Sequence, residues 1–357
     1  MPLLKHKQVE SCRRLSSWID SNGIAGYDPY DLKSMPWILE LIKLGNKYFI
    51  FEIIREFIFE MFLYFPVVFR KLFRIRKKEN AKAVGLLASS NIDLYSDSGD
   101  KKYLDKATSY LKWLDKKAVK SYIGIGWGYP FDWQSKALIP KYTPNGIVTT
   151  AVADAYWKMY KLENNQSYLD KCVLIGEFLF SLPTDRVSDS KLCFSYTPLF
   201  INHVHNLNLF VAEFLLKVGL QTGREEWIET ALKAICYTLA DQHPDGGFDY
   251  NGPPEKPLNK VDHYHTGFNM RMLYSIWKLT GNQKVKTSLD KCYDHYLNNF
   301  FDGPKPKFTP NRLYRIDSHS VSECVHCLYT LAPDYPEGVI YADRTLDWAI
   351  DNLQDKE

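Results

Sequence analysis

The densest chemistry in this chain lies in Val261-Asp262-His263-Tyr264-His265-Thr266-Gly267-Phe268-Asn269, where an acid, two imidazoles, a phenol and an amide follow one another. Beyond them Phe268, Met272, Leu273, Ile276 and Leu279 recur at helical spacing, which predicts a helix to about Thr280 with the polar group at its head. A helix N-terminus presents unpaired amides and partial positive charge, which suit an anionic ligand or a developing negative charge. These side chains would also serve as caps and as partners for buried polar groups. So many in so short a stretch favour a site.

The elements that must position this group repeat. Leu104, Leu169, Ile228, Leu289 and Leu346 stand in similar short motifs at a spacing of roughly 60 residues, about what two helices and their loops require. The partner segments 147–160, 207–220, 268–279 and 321–331 are apolar on more than one face, as enclosed helices must be. The loops 123–146, 182–206, 242–267 and 301–320 are long and rich in Gly, Pro and aromatic residues, whereas the other connections are short. An all-α (α/α)6-type toroid, a six-hairpin barrel with its long loops on one face, accounts for this alternation. A linear helical solenoid is the competing arrangement. We read 1–357 as a single toroid domain, with 1–80, helical from near Leu4, completing the ring.

Composition narrows the function. A net charge of +3 and the lack of a basic, aromatic-interleaved stripe argue against nucleic acid. The seven cysteines lie mostly in helical runs, where they read as small buried hydrophobes in a reducing compartment. Residues 1–10 are charged and lack the apolar core of a leader, so a cytoplasmic protein is expected. The stretch 48–69 is strongly apolar, but Glu52, Arg55, Glu56 and Glu60 interrupt it, so it is not a membrane span. Burial in the fold is expected; the alternative is peripheral association with a membrane, with Arg70, Lys71, Arg74, Arg76, Lys77 and Lys78 near anionic headgroups.

The long loops carry the remaining candidates. Trp127, Tyr129, Trp133 and Tyr250 are platforms on which a sugar ring would stack. Asn145, His205, Asn206, Asn269, His319, Asp28 and Asp31 are expected to bind substrate; Tyr264, His265, Asp262 and Asp132 are expected at the chemistry. A glycosidase needs two carboxylates, and spacing marks none of the acids as a pair. Proton abstraction beside a sugar carboxylate needs a Tyr or His base, and groups that hold the carboxylate. The Tyr-, His- and Asn-rich loops suit the latter better. No spacing matches a strong metal-ligand motif, and phosphate-binding glycine loops and nucleophile signatures are missing, so neither metal nor cofactor is expected.

The order Gly126-Trp127-Gly128-Tyr129, Thr143-Pro144-Asn145-Gly146, Phe194-Ser195-Tyr196-Thr197-Pro198, His205-Asn206-Leu207-Asn208, Asp245-Gly246-Gly247-Phe248 and Tyr264-His265-Thr266-Gly267 resembles toroid proteins of bacterial polysaccharide-biosynthesis clusters. More distantly it resembles the C-terminal helical domain of glucuronyl C5-epimerases. The resemblance implies a catalytic tyrosine at Tyr264, in its Tyr-His-Thr, and a second at Tyr196. Ser195 departs from the pattern, standing where that family has a catalytic Glu. The implied function is a carbohydrate-active enzyme of polysaccharide biosynthesis, acting on an acidic glycan by uronate C5 epimerisation or a related elimination. A glycoside hydrolase and a non-catalytic glycan-binding protein are the alternatives.

Overall fold

The computed structural model describes residues 5–120, 123–255 and 261–355; Leu4, the expected start of the first helix, lies outside them. In chain order the helices are α1 (His6–Asn22), α2 (Pro36–Gly45), α3 (Phe49–Tyr64), α4 (Pro66–Leu72), α5 (Ala81–Ser98), α6 (Lys101–Lys117), α7 (Gly146–Glu163), α8 (Gln166–Phe180), α9 (His205–Thr222), α10 (Glu225–Ala240), α11 (His263–Thr280), α12 (Gln283–Asn299), α13 (Ser318–Leu331) and α14 (Gly338–Asn352). The described strands are short and form two-stranded antiparallel ribbons, such as Thr184–Ser188 with Lys191–Phe194. The chain divides into two compact units. An amino-proximal unit comprises Asn22–Ser181 and Thr197–Phe200; a carboxy-proximal unit comprises Met1–Ser21, Leu182–Tyr196 and Ile201–Glu357.

In the carboxy-proximal unit α9/α10, α11/α12 and α13/α14 are antiparallel hairpins, and α11 packs between α9 and α13. Position in the unit explains sequence character. Enclosed α9 buries a run from His205 to Gly219 that includes Leu207, Leu209, Val211, Phe214, Leu215 and Val218, whereas α10 buries one stripe, Trp227, Ala231, Ala234, Ile235 and Thr238. The terminal segments meet here: Lys5 pairs with Asp347 at 2.7 Å, and Ser11 donates to Gln354 at 2.8 Å. Buried Cys324 and Cys327 sit on the inward side of α13, where burial pushes the Cys324 thiol up to about 12. All seven cysteines are free thiols.

In the amino-proximal unit α5 packs against both α6 and α7, and α7 against α8. The expected helices at 147–160, 207–220, 268–279 and 321–331 all fall inside α7, α9, α11 and α13. Their boundaries are written in caps. Asn145, Asp262 and Asp317 accept backbone N–H groups at the starts of α7, α11 and α13. Gly99 and Gly281 close α5 and α11 at φ 67° and 65°, a left-handed conformation that costs glycine little.

The apolar stretch 48–69 corrects the expectation of burial. Of α3 only Phe62 is buried, joining Leu32, Ile38 and Leu41 in a small core. Ile50, Phe57, Tyr64 and Val68 are 60%, 65%, 70% and 59% exposed. A helix covered on one side, here by α2 with α4, hides one of its faces, and this one is apolar on two.

Candidate functional site at the heads of α11 and α13

Asp262 ends its loop in extended conformation (φ −120°, ψ 166°) and caps α11. Its Oδ1 accepts from the His265 backbone N–H at 3.0 Å, and its Oδ2 lies 2.6 Å from His265 Nδ1. One carboxylate therefore starts the helix and orients the imidazole. With Nδ1–H donating to Asp262, the lone pair of the neutral ring is on Nε2. The ring lies between two phenols, its centroid 4.1 Å from Tyr264 and 4.5 Å from Tyr250. Its side chain keeps 18% exposure, against 10% for Asp262.

The head of α13 repeats the device. Asp317 accepts from the backbone N–H of His319 at 2.8 Å, and its Oδ1 lies 3.1 Å from His319 Nδ1. The His319 ring is 5.5 Å from Tyr264. Partial burial raises the Asp317 carboxyl, but hydrogen bonds from the side chain and backbone of His319, with the charges of His319 and His265, hold it below the usual carboxylate range. Two Asp–His pairs thus converge on Tyr264. His263, between Asp262 and Tyr264 in sequence, faces inward: its ring nitrogens meet the Lys307 carbonyl at 2.9 Å and the Tyr296 hydroxyl at 2.6 Å. Burial pushes its pKa down to about 4.

The loops before α9 join the same unit. Val204 bridges to Asn251, and the His205 N–H donates to the Tyr250 carbonyl at 3.2 Å, which ties the Tyr250 platform to the α9 head. His205 itself, expected at substrate, is fully buried, its ring nitrogens 3.3 Å from Thr238 Oγ1 and 2.8 Å from Asp241 Oδ2. A Cβ on Gly252 would come within 2.6 Å of that ring, so the loop closes tightly over it. Asn206 and Asn269 are also buried, and the amide oxygen of each has no hydrogen-bond partner among the described residues. Ser195 is buried and its Oγ accepts from the Asn202 N–H at 3.4 Å; half-buried Tyr196 donates its own N–H to Asn202 Oδ1 at 2.7 Å.

Next to them is a group that sequence reasoning missed. His203 has Asp185 Oδ2 2.9 Å from Nε2 and Glu255 Oε1 3.1 Å from Nδ1, so one imidazole joins two carboxylates some 70 positions apart in sequence, 185 and 255. Asp185 sits on a ribbon and Glu255 follows Pro253-Pro254; neither position carries a spacing that marks it. The His203-x-His205 pattern was the one available signal.

The other expected site residues lie in the amino-proximal unit. Trp127 is 1% exposed, and its indole N–H donates to the Leu114 carbonyl at 2.9 Å. It is core. Asn145 is fully buried as the cap of α7, and Asp31 is bound to Arg70 at 2.9 Å. Asp28 accepts from Asn80 at 3.3 Å and from the Tyr30 N–H at 2.9 Å. Tyr129 packs 5.1 Å from Phe131 and 6.5 Å from Trp133. Asp132 accepts the Lys141 N–H at 2.8 Å and, with Trp133, lines a cavity of about 200 Å³. A larger cavity of about 680 Å³ is lined by Trp113, Tyr142, Lys77, Lys78, Lys116 and Lys117. Among the described residues no group of three or more His, Cys, Asp or Glu is placed to hold a metal ion.

No protein-family model and no curated protein matches the chain. Solved structures do. A GH76 α-mannanase from Bacteroides thetaiotaomicron aligns with a TM-score of 0.63 at 12% identity, covering 78% of this chain and 76% of that one. The cellobiose 2-epimerase of Bacillus thermoamylovorans aligns at 0.60 with 11% identity, covering 78% of each. An unsaturated glucuronyl hydrolase specific for heparin aligns at 0.58 with 12% identity, covering 78% and 75%. At such identities the likeness concerns fold, and it agrees with the helix hairpins: the chain has the all-α, (α/α)6-toroid fold class of these proteins.

Proposed function

We propose that this chain is a carbohydrate-active enzyme of polysaccharide biosynthesis, working in the cytoplasm as a single domain on an acidic glycan. The reaction is uronate C5 epimerisation or the related elimination. The observation that carries this reading is His265, held by Asp262 at 2.6 Å and lying between Tyr264 and Tyr250. The solved structures of similar fold add support, since their names describe enzymes acting on mannan, cellobiose and unsaturated glucuronides.

In this reading Nε2 of His265 takes the C5 proton. The electron pair of the broken C–H bond moves into the adjoining carboxylate, giving an enolate-like state that the positive end of α11 and the hydrogen-bond donors around it stabilise. Tyr264 O–H returns a proton to C5 in epimerisation. In elimination the electron pair instead expels the substituent on C4, and Tyr264 protonates the leaving oxygen. Tyr250 and His319 flank the sugar ring.

A second reading has its own observation. His203 brings two carboxylates, Asp185 and Glu255, to one imidazole, and a glycoside hydrolase needs two carboxylates. The two are separated by product. Incubating the protein with uronate oligosaccharides in deuterated water should place deuterium at C5, or yield an unsaturated uronate. New reducing ends without either would overturn the epimerase reading in favour of the hydrolase. No turnover of any glycan, with retained binding, would leave a glycan-binding protein.

A further inference from the structure

The apolar surface on α3 and α4 is a feature that the catalytic reading does not use. Its pattern is regular. Ile50, Ile53, Ile54 and Phe57, then Tyr64, follow the i, i+3, i+4, i+7 spacing of one helix face, and all are exposed. Phe65, Val67, Val68 and Leu72 extend the surface through α4. The opposite face is firmly seated: Phe62 packs 5.1 Å from Phe69 and 6.4 Å from Phe73, and Lys33 Nζ lies 4.5 Å over the Phe59 ring. The exposed stripe is therefore the outer side of a packed hairpin.

Charge says what covers it. Between Met61 and Lys78 there is no acidic residue and there are six cations, Arg70, Lys71, Arg74, Arg76, Lys77 and Lys78. Arg70 is bound to Asp31, while Lys71, Arg74, Arg76, Lys77 and Lys78 are exposed. Acids are present on one flank, where Glu52, Glu56 and Glu60 follow one another at every fourth position. Arg55 pairs with Glu56 at 2.9 Å and with Glu52 at 3.5 Å. No described helix is long and apolar enough to cross a membrane. The 16 residues of α3 span about 24 Å.

We propose that the α3–α4 hairpin lies in the plane of an anionic bilayer surface, with the Ile50–Phe57–Tyr64 stripe in the acyl boundary and the 70–78 cations on the headgroups. An apolar helix face followed by a basic stretch is the combination that binds such surfaces. The proposal stands apart from the reaction: it concerns where the protein sits.

Co-sedimentation tests it. The full chain should pellet with vesicles of equal parts phosphatidylcholine and phosphatidylglycerol, and far less with phosphatidylcholine alone. Ile53→Asp with Phe57→Asp should weaken the partition by about tenfold or more, as should Lys71→Glu with Arg74→Glu. All four side chains sit on the surface, so melting temperature should stay unchanged. Phe57→Trp should shift its fluorescence to the blue on mixing with the anionic vesicles. No binding to either vesicle would overturn the proposal. So would a wild-type dimer that the Ile53/Phe57 variant dissociates without any lipid binding, since the stripe would then be an interface between copies.

Discussion

Asp262 holds His265 twice, through the backbone N–H at 3.0 Å and through Nδ1 at 2.6 Å, so the cap of α11 and the orientation of the imidazole depend on one carboxylate. The two roles separate by substitution. In Asp262→Asn the amide oxygen still caps the helix, since Asn is as good a cap as Asp. The negative charge that orients the ring and stabilises its protonated form is lost. Turnover should therefore fall by about 10² while melting temperature changes little. Asp262→Ala removes the cap as well and should cost about 1 kcal/mol in addition. Equal activity in wild type and Asp262→Asn would remove His265 from the chemistry.

Tyr264 touches both His265 and His319, with ring centroids 4.1 Å and 5.5 Å away. Tyr264→Phe keeps those contacts and removes the proton. If the phenol transfers protons, turnover should fall by about 10² with glycan binding retained. If its role is a structural hydrogen bond, the loss should instead appear as about 1 kcal/mol of stability at near-normal activity. Deuterium exchange at C5 and thermal melting, measured on the same preparation, distinguish the two.

Stability should depend on pH through His263. Burial lowers its pKa from 6.5 to about 4, so between those values the unfolded chain holds a proton that the folded chain refuses. Stability is then full above pH 6.5 and falls as the solution is acidified towards pH 4, by about 3 kcal/mol from this group. Asp317 acts in the same sense lower down, because its depressed carboxyl stabilises the fold above its ordinary 3.8 and that contribution is lost as pH falls through the lowered value. Urea unfolding at a series of pH values should show the slope in wild type and a shallower one in His263→Asn. A flat profile from pH 6.5 to 4 would mean that the ring is protonated as readily in the fold as outside it.

How much of this was legible varied with the kind of information. Helix hairpins were readable because burial on several faces and caps such as Gly99-Asp100 and Gly281-Asn282 are local signals. The Tyr264 group was readable because its members are sequence neighbours. The Asp185–His203–Glu255 bridge was not, because its parts come from a ribbon and two loops and meet only after folding. The burial of Trp127 and His205 was not readable for the same reason: a backbone carbonyl from α6 satisfies the indole, and Thr238 and Asp241 the ring. The stretch 48–69 misled because apolar composition was equated with burial, whereas α2 with α4 covers a single face of α3.

The single-domain reading has its own test. The carboxy-proximal unit is assembled from three stretches of chain, Met1–Ser21, Leu182–Tyr196 and Ile201–Glu357, and the amino-proximal unit from the residues between them. In the first of these units α1 is fastened to the far end of the sequence by Lys5–Asp347 at 2.7 Å, Lys7–Asp351 at 2.6 Å and Ser11–Gln354 at 2.8 Å. Surface ion pairs of this kind contribute little each, because water screens them. The interleaved chain path matters more, since neither unit is one continuous segment that completes itself independently. Differential scanning calorimetry should therefore show one transition whose calorimetric and van't Hoff enthalpies agree. Lys5→Ala with Lys7→Ala should move that transition to slightly lower temperature without splitting it. Two resolved transitions in the wild type would show two domains and overturn the reading.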